Sequence, residues 1–305
     1  MRILNTPAPL LLASEPEEVQ IPGYTVKIRE MPSESAPTRM YPVGALALSS
    51  TSRPLHAMNP QLPINDETML SRVECKYLIT ESVRAGIREY IKPFVKPDRF
   101  AHGHDDGRYP ISSLYLDCPR LTLYKSTADG IKNRFKLRVR TYSDSPADNA
   151  FFEVKKRMNG IVYKSRESVP RAQAIELIER NSHEAARGSD LAEFLHLRDL
   201  HSAEPLMRVK YMREAYVSQS ADPVRITFDD DLEGALTLDS DLSHLTGDWL
   251  RVPMTHSILE LKFTNLYPSW VAGMVQEFQL ERTSVPKYVL CVEEAARLGV
   301  MRTAI

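Results

Sequence analysis

The sequence predicts an α+β domain built on an antiparallel sheet of eight strands, and three observations carry that prediction. Eight segments alternate Val, Ile, Phe or Tyr with polar residues over seven to twelve positions, the period of a strand with one face against a core. Two of them are separated only by the turn at Met158-Asn159-Gly160, whose Asn-Gly pair is a tight-hairpin signal that fixes antiparallel pairing. Five segments with helical periodicity and recognisable caps punctuate the strands rather than alternating with them one for one.

In chain order, the first strand spans 71–79, where Val73, Cys75, Tyr77 and Ile79 alternate with Arg72, Glu74 and Lys76. Thr80 then supplies the side-chain oxygen that caps a helix over 81–92. Strands follow at 111–117, at 134–142 (Phe135, Leu137 and Val139 against Arg134, Lys136, Arg138 and Arg140), at 150–157 and at 160–169. Helices are expected at 171–180 and 189–201, where the apolar spacing changes from two to three or four. Strands at 206–217, 223–229 and 257–263 complete the eight. Pro268 opens a helix over 268–280, because a proline costs nothing at a first helical position, and a last helix covers 288–298.

Everything before these elements reads differently. Ten of the 21 prolines fall in the first 63 residues, among Ser and Thr and with little apolar periodicity. Such a segment cannot bury enough surface to offset its ordering entropy. Residues 1–66 are therefore expected to be a disordered or loosely docked leader and 67–305 one domain, long enough to hold a full core. The balance of 39 Lys+Arg against 40 Asp+Glu gives a net charge of −1, with no apolar run long enough to cross a bilayer, so a cytoplasmic protein is expected. Cys75, Cys118 and Cys291 are odd in number, far apart and without C-x-x-C spacing, which argues against a disulfide scaffold or a zinc site. Neither glycine-rich phosphate motif occurs, so any phosphate must be held by side chains.

The chemistry lies in the two faces of the strands. One face is apolar. The other holds Arg72, Glu74, Lys76, Arg134, Lys136, Arg138, Arg140, Glu153, Lys155, Arg157, Lys164, Arg166, Arg208, Lys210, Arg225, Asp229, Glu260 and Lys262, which is fourteen basic residues against four acidic. A solvated antiparallel face normally mixes signs to gain cross-strand pairs. The same bias on seven strands points to a shared anionic ligand. If the strands close into a barrel with the apolar face outward under the helices, the basic face becomes a wet or ligand-filled lumen, since unpaired buried cations are costly. Guanidinium forks and mobile ammonium groups suit several consecutive phosphates, and Glu74, Glu153 and Glu260 on the same face suit Mg²⁺ or Mn²⁺ bridging them. Each Glu is also readable as an internal partner of a neighbouring Arg or Lys, and both readings can hold residue by residue.

Taken in order, RVECKYLI (72–79), YLDCPRLTLY (115–124), FKLRVRTY (135–142), FFEVKKRMNGIVYKSR (151–166), PLMRVKYMREAYV (205–217), VRITFD (224–229), ILELKF (258–263) and SVPKYV (284–289) resemble the VTC domain. This is the polyphosphate polymerase module of the triphosphate tunnel (CYTH-like) superfamily. The resemblance implies a closed eight-stranded antiparallel tunnel and metal-dependent transfer of the terminal phosphate of ATP to inorganic polyphosphate. It implies Lys76, Arg138, Arg140, Lys164 and Arg208 as catalytic phosphate contacts, with Lys287 of the second K-Y pair as a further one and Glu260 as the metal ligand. Arg134, Lys136, Lys155, Arg166 and Lys262 join them as phosphate-binding candidates, and Glu74 and Glu153 as metal candidates, on their place in the basic face. The tunnel hydrolases open with E-x-E-x-K, whereas Arg72 stands at the first position here, which leans toward the polymerase branch. The leader lacks the Lys-rich helices of an inositol-phosphate-sensing domain and no transmembrane tail follows, so a stand-alone protein of bacterial kind is expected.

The expected chemistry is in-line attack of the chain's terminal phosphate oxygen on the γ-phosphate, which needs positioning and charge neutralisation rather than a covalent intermediate. The rivals are a triphosphate or nucleoside triphosphate hydrolase using the same ligands, and a module that binds polyphosphate without making it. Nucleic acid is not expected, because the basic strands lack the interleaved aromatics of a stacking platform. The His102–Asp106 cluster reads as a solvated loop, no nucleophile signature surrounds His256, and Trp249, Trp270, Met207, Met212 and Met274 read as packing residues.

Overall fold

A computed structural model of the chain describes residues 73–102, 104–159, 161–179, 190–219, 224–263 and 268–301, together with the backbone of a hairpin, β1 (Glu17–Ile21) and β2 (Tyr24–Ile28). That hairpin lies inside the proline-rich leader, the rest of which falls outside the described residues.

The domain runs β3 (Val73–Ile79), α1 (Glu81–Ile91), β4 (Val95–Pro97), β5 (Arg108–Asp117), α2 (Thr122–Ala128), β6 (Arg134–Thr141), β7 (Asn149–Met158), β8 (Ile161–Pro170), α3 (Arg171–Glu179), α4 (Asp190–Leu200), β9 (Glu204–Ser218), β10 (Arg225–Leu236), β11 (Leu250–Arg251), β12 (Ser257–Phe263), α5 (Ser269–Glu277) and α6 (Lys287–Arg297). All eight expected strands and all five expected helices are present. The Thr80 hydroxyl caps α1 by accepting the Val83 N–H at 3.4 Å. The β7–β8 hairpin turns at Asn159, whose φ of 51° is the left-handed conformation an Asn-Gly turn requires. Five short elements were not expected: β4, α2 and β11 in the domain and the β1–β2 hairpin in the leader. β10 also runs past its expected end through a bulge between Asp230 and Glu233, where Asp231 takes φ 51°.

The eight long strands form one antiparallel sheet in the order β3-β12-β10-β9-β5-β6-β7-β8, with β11 added to β10 and β4 to β9. The sheet curls on itself. Glu74 on the first strand of this order meets the Lys155 ammonium on the seventh at 2.7 Å, so the face carrying both is concave. Among the described residues no ladder joins β8 to β3, so the closed tunnel expected from the sequence is a half-barrel whose open seam is crossed by side chains.

Three apolar clusters fix the layers. On the convex side, Leu114, Leu137, Val139, Phe152 and Val154 pack under α3 and α4 through Leu177, Phe194 and Leu195. Cys75, Tyr77, Phe228, Leu259 and Leu261 pack likewise under α1 and α5 through Ile87, Ile91, Val271 and Met274. The third cluster is on the concave side: Tyr115, Met207, Val209 and Tyr211 meet Tyr288, Cys291, Val292 and Ala295 of α6. One end of the trough is thus filled by α6 rather than left as lumen. Gly234 allows this approach, since a Cβ there would stand 2.7 Å from the Cys291 Cβ.

Candidate active site

Residues directly opposite in an antiparallel ladder share a face, so register alone assembles the concave surface. Lys76 stands opposite Glu260 and Glu74 opposite Lys262; Lys262 is opposite Arg225. Asp229 is opposite Arg213, which is opposite Tyr109. Ser113 and Tyr115 then face Arg140 and Arg138, Arg138 faces Glu153, and Lys136 faces Lys155. Glu153 and Lys155 finally face Arg166 and Lys164. Seven strands therefore deliver one ring of charge, with β5 adding Tyr109, Ser113 and Tyr115. Around it lies a cavity of about 490 Å³ lined by Arg138, Arg140, Lys155, Lys164, Arg166, Arg213, Arg225, Lys262 and Glu74, with Phe100 and Tyr142 on one wall.

Three carboxylate centres organise the cations. The Glu153 side chain is fully buried and holds Arg138 at 2.6 Å, Lys164 at 2.6 Å and Arg166 at 3.4 Å. Asp229, equally buried, accepts both arms of Arg213 at 2.6 and 2.7 Å and pairs with Lys287 at 2.8 Å. Glu260 gathers Lys262 at 3.2 Å, Arg213 at 3.5 Å and Lys76 at 3.7 Å. Each carboxylate serves two or three cations, so the ring keeps a positive surplus. Among the described residues no carboxylate reaches Arg140, which donates to Ser113 Oγ at 3.1 Å and the Tyr211 hydroxyl at 3.2 Å.

The surplus shows in the titrating groups. Burial pushes Lys164 down to about 8, with Arg138 and Arg166 adding to it against Glu153. Burial also pushes Lys262 down to about 8, and drives Lys136 well below an ordinary lysine with help from Lys76 and Lys155. Burial alone would raise Tyr142, but Arg140 and Arg166 outweigh it and bring the phenol to about 8. Burial likewise opposes ionisation of Asp229, yet Arg213 and Lys287 hold it at about 2. A cavity that discourages its own cations and favours phenolate is one arranged for added negative charge.

Glu74 and Glu260 stand side by side on adjacent strands, close enough to share a hydrogen bond. Among the described residues no three acidic, His or Cys side chains converge into a metal cage. Two neighbouring carboxylates nonetheless fit a hard divalent cation that takes its remaining ligands from phosphate and water, as Mg²⁺ and Mn²⁺ do. Glu153 stands apart from that pair, fully buried among Arg138, Lys164 and Arg166 with no second carboxylate among the described residues beside it.

The structure thus brings Lys76, Lys136, Arg138, Arg140, Lys155, Lys164, Arg166, Lys262, Glu74, Glu153 and Glu260 onto one concave face, with Lys287 reaching it from the first turn of α6. Lys287 lies beyond Asp229, over the Tyr211 ring at 4.7 Å, and lines a separate cavity of about 190 Å³ with Asp229, Asp230 and Asp231. Arg134 is on the same face but outside the main cavity, donating to the Ile131 carbonyl at 2.5 Å. Arg208 is a correction. Its register partners are Leu114 and Ala235, on the convex face. There it binds Asp241 and the Ser243 carbonyl and lies 5.3 Å from the Trp249 ring, and Lys210 sits on the same ring. The charged face of β9 is instead that of Tyr211 and Arg213. The sequence pattern misassigned it because α6 makes that part of the concave surface apolar, so Val209 and Tyr211 looked like core. The usable signal was register with Asp229, already placed on the charged face.

In comparisons with solved structures, the chain is similar to a candidate adenylate cyclase of Bacillus halodurans at 11% identity and TM-score 0.42, covering 71% of this chain and 94% of that one. It is similar to HpAC1 of Hippeastrum, a candidate adenylyl cyclase with dominant triphosphatase activity, at 14% identity and TM-score 0.42, covering 75% and 96%. It is also similar to the PH1819 protein of Pyrococcus horikoshii, at 12% identity and TM-score 0.35, covering 69% and 92%. No curated protein matches the sequence. The family model of the VTC domain matches residues 71–295, the stretch that builds the half-barrel and every residue of the ring described here. The chain belongs to the VTC domain family.

Proposed function

We propose that the protein is a metal-dependent polyphosphate polymerase, transferring the terminal phosphate of ATP to a growing polyphosphate chain held in the basic trough. The observation that supports this most is the ring itself: cations from six strands converge on one cavity, organised by carboxylates too few to neutralise them. In the reaction, a terminal oxygen of the acceptor chain attacks the γ-phosphorus, the bond from that phosphorus to the β–γ bridging oxygen breaks, and ADP leaves. The attacking oxygen is already ionised, so no side chain need take a proton.

Arg138, Arg140 and Lys164 would bind the oxygens of the transferring group, with Arg166 and Lys155 alongside. Fixed by Glu153, the first of these forks cannot swing away, so little reorganisation is needed at the moment of transfer. Arg213, clamped by Asp229, and Lys76 and Lys262, gathered by Glu260, would offset the charge of two phosphorylated reactants meeting in one cavity. A divalent cation held by Glu260 and Glu74 would supply further charge neutralisation across the phosphates. No helix among the described residues is long and apolar enough to cross a membrane, and the proposal places the activity in the cytoplasm.

Incubation of the full chain with ATP and Mn²⁺ or Mg²⁺ should give ADP and chains resolvable on a gel. Free phosphate without chains would replace polymerisation by hydrolysis on the same ligands. Binding without turnover would leave a polyphosphate-holding module. Glu260→Gln should abolish turnover and leave tripolyphosphate binding largely intact.

A further inference from the structure

The β7–β8 hairpin ends in an exposed apolar tip. On the convex face of β7, Phe152 and Val154 are buried in the cluster that holds α4. At the next row α4 crosses the sheet, from Glu193, which binds Lys156 Nζ and Ser165 Oγ, to the residue after its end, His201, which packs against the Phe135 ring. Beyond that crossing the ladder sets Met158 opposite Ile161, with Tyr163 on the same face. Asn133 Oδ1 accepts the Asn159 N–H at 2.9 Å, which fastens the loop carrying Ile131 to the hairpin turn. Ile131, Met158, Ile161 and Tyr163 are each between 42% and 51% exposed.

The charge around the tip has one sign. Residues 131–134 and 155–166, which build it, contain seven Lys or Arg and no Asp or Glu. Four of the seven are engaged elsewhere: Lys155, Lys164 and Arg166 line the trough, and Lys156 binds Glu193. Lys132, Arg134 and Arg157 remain, and Arg134 stands directly opposite Arg157 in the β6–β7 ladder. Like charges in that position destabilise a sheet, so folding does not account for the pair and an external anion does. Size then decides what kind of anion. A stable protein interface takes roughly 20 to 30 residues a side, and four apolar side chains at the end of a hairpin fall far short. A bilayer asks less: a few apolar groups at the headgroup boundary and basic residues beside anionic lipids. Tyr163 suits that boundary, with an apolar ring and a hydroxyl that stays in water.

We propose that the tip formed by Ile131, Met158, Ile161 and Tyr163 docks on an anionic lipid bilayer, its apolar side chains entering the headgroup boundary while Lys132, Arg134 and Arg157 meet the charged headgroups. Binding of this kind is peripheral and reversible, because so few apolar groups give a weak partition that charge must reinforce. The site does not depend on what the trough holds. It does orient the trough: Arg157 is opposite Val162, which lines the main cavity, so docking sets that end of the cavity toward the lipid surface.

Co-sedimentation of the full chain with phosphatidylcholine vesicles, with and without phosphatidylglycerol, tests this, with excess tripolyphosphate present to compete for the basic trough. The protein should bind the anionic vesicles, leave them as salt is raised, and ignore the neutral ones. Replacing Met158, Ile161 and Tyr163 together by Ser should weaken binding by about tenfold or more. Lys132→Gln should weaken it by about fivefold, the share of one basic residue beside an anionic leaflet, and Ile161→Trp, which keeps an interfacial side chain, should retain it. These two single variants decide the matter if the triple variant melts early. Absence of binding to anionic vesicles, or undiminished binding by the triple variant and by Lys132→Gln, overturns the site. Self-association of the unaltered protein that the triple variant abolishes, without vesicle binding, also overturns it and makes the tip a contact between copies.

Discussion

Replacing Glu153 by Gln keeps the shape of a buried side chain and removes one charge that three cations share. At contact distance a pair of unit charges interacts by about 4 kcal/mol at an effective dielectric of 20, and Glu153 meets Arg138, Lys164 and Arg166 at 2.6, 2.6 and 3.4 Å. Part of that gain is cancelled because the carboxylate is itself desolvated, and breaking a buried pair from one side costs about 3–5 kcal/mol net. Lys164 limits the damage. Its pKa is already about 8, so without Glu153 it sheds its proton near neutrality instead of enduring a third like charge. A loss of about 3 kcal/mol in a domain of this size lowers the melting temperature by roughly 6–12 °C. The sign of the pH dependence follows from the depressed lysine: the unfolded chain binds the extra proton, so Glu153→Gln should gain stability as pH rises from 6 to 9. Tripolyphosphate brings the missing negative charge and should raise the variant's melting temperature by more than the wild type's. The assay is a thermal melt of both proteins with and without tripolyphosphate at three pH values. A variant melting with the wild type, or gaining no more than the wild type from the ligand, would refute the claim that Glu153 is the anionic centre of the ring.

Tripolyphosphate affinity should fall as pH rises through about 8, because Lys164 and Lys262 lose their charge and Tyr142 gains one in the empty cavity; Lys164→Arg should remove part of that fall in a calorimetric titration. Arg208→Ala should destabilise the protein by about 1–3 kcal/mol through the lost hydrogen bonds to Asp241 and Ser243, yet leave tripolyphosphate affinity unchanged in a binding titration. Arg213→Lys, which keeps charge but not the paired bonds to Asp229, should weaken tripolyphosphate binding several-fold in the same assay.

Strands were legible because period-two alternation is a local property, and the Asn159 turn announced one pairing outright. What alternation cannot say is which way a face points when both sides of a strand are partly apolar. β9 is that case: its concave positions Met207, Val209 and Tyr211 are the seat of α6, so hydrophobicity selected the wrong face there and with it Arg208 in place of Arg213. α6 itself was visible as a helix, but nothing local distinguishes a helix lying inside a curled sheet from one lying outside. The phosphate-side residues of β3, β6, β7 and β12 were found because their opposite faces pack under convex helices and are largely apolar. The wall carrying Phe100 was invisible for another reason: it is assembled from a turn pinned by Asp98, a contact across more than a hundred residues to Arg225.

The near-neutral chain conceals a division that the corrected ring leaves almost intact. Arg72 lies outside the described residues; exchanging Arg208 and Lys210 for Arg213 and Lys287 then leaves thirteen basic and four acidic side chains in the set read from the sequence, a surplus of nine. With a total of −1, the rest of the chain carries −10. The four carboxylates do not sit one to a cation. They sit where several cations would otherwise collide, so each removes the worst repulsion while leaving the field of the trough positive. Full pairing would make a more stable sheet and a poor anion site; no pairing would leave unpaired buried cations that a marginally stable domain cannot sustain. Sharing lets the empty protein fold and still stabilises an entering chain of phosphates, while the net negative charge of the remaining residues favours polyanions at the trough over the rest of the chain.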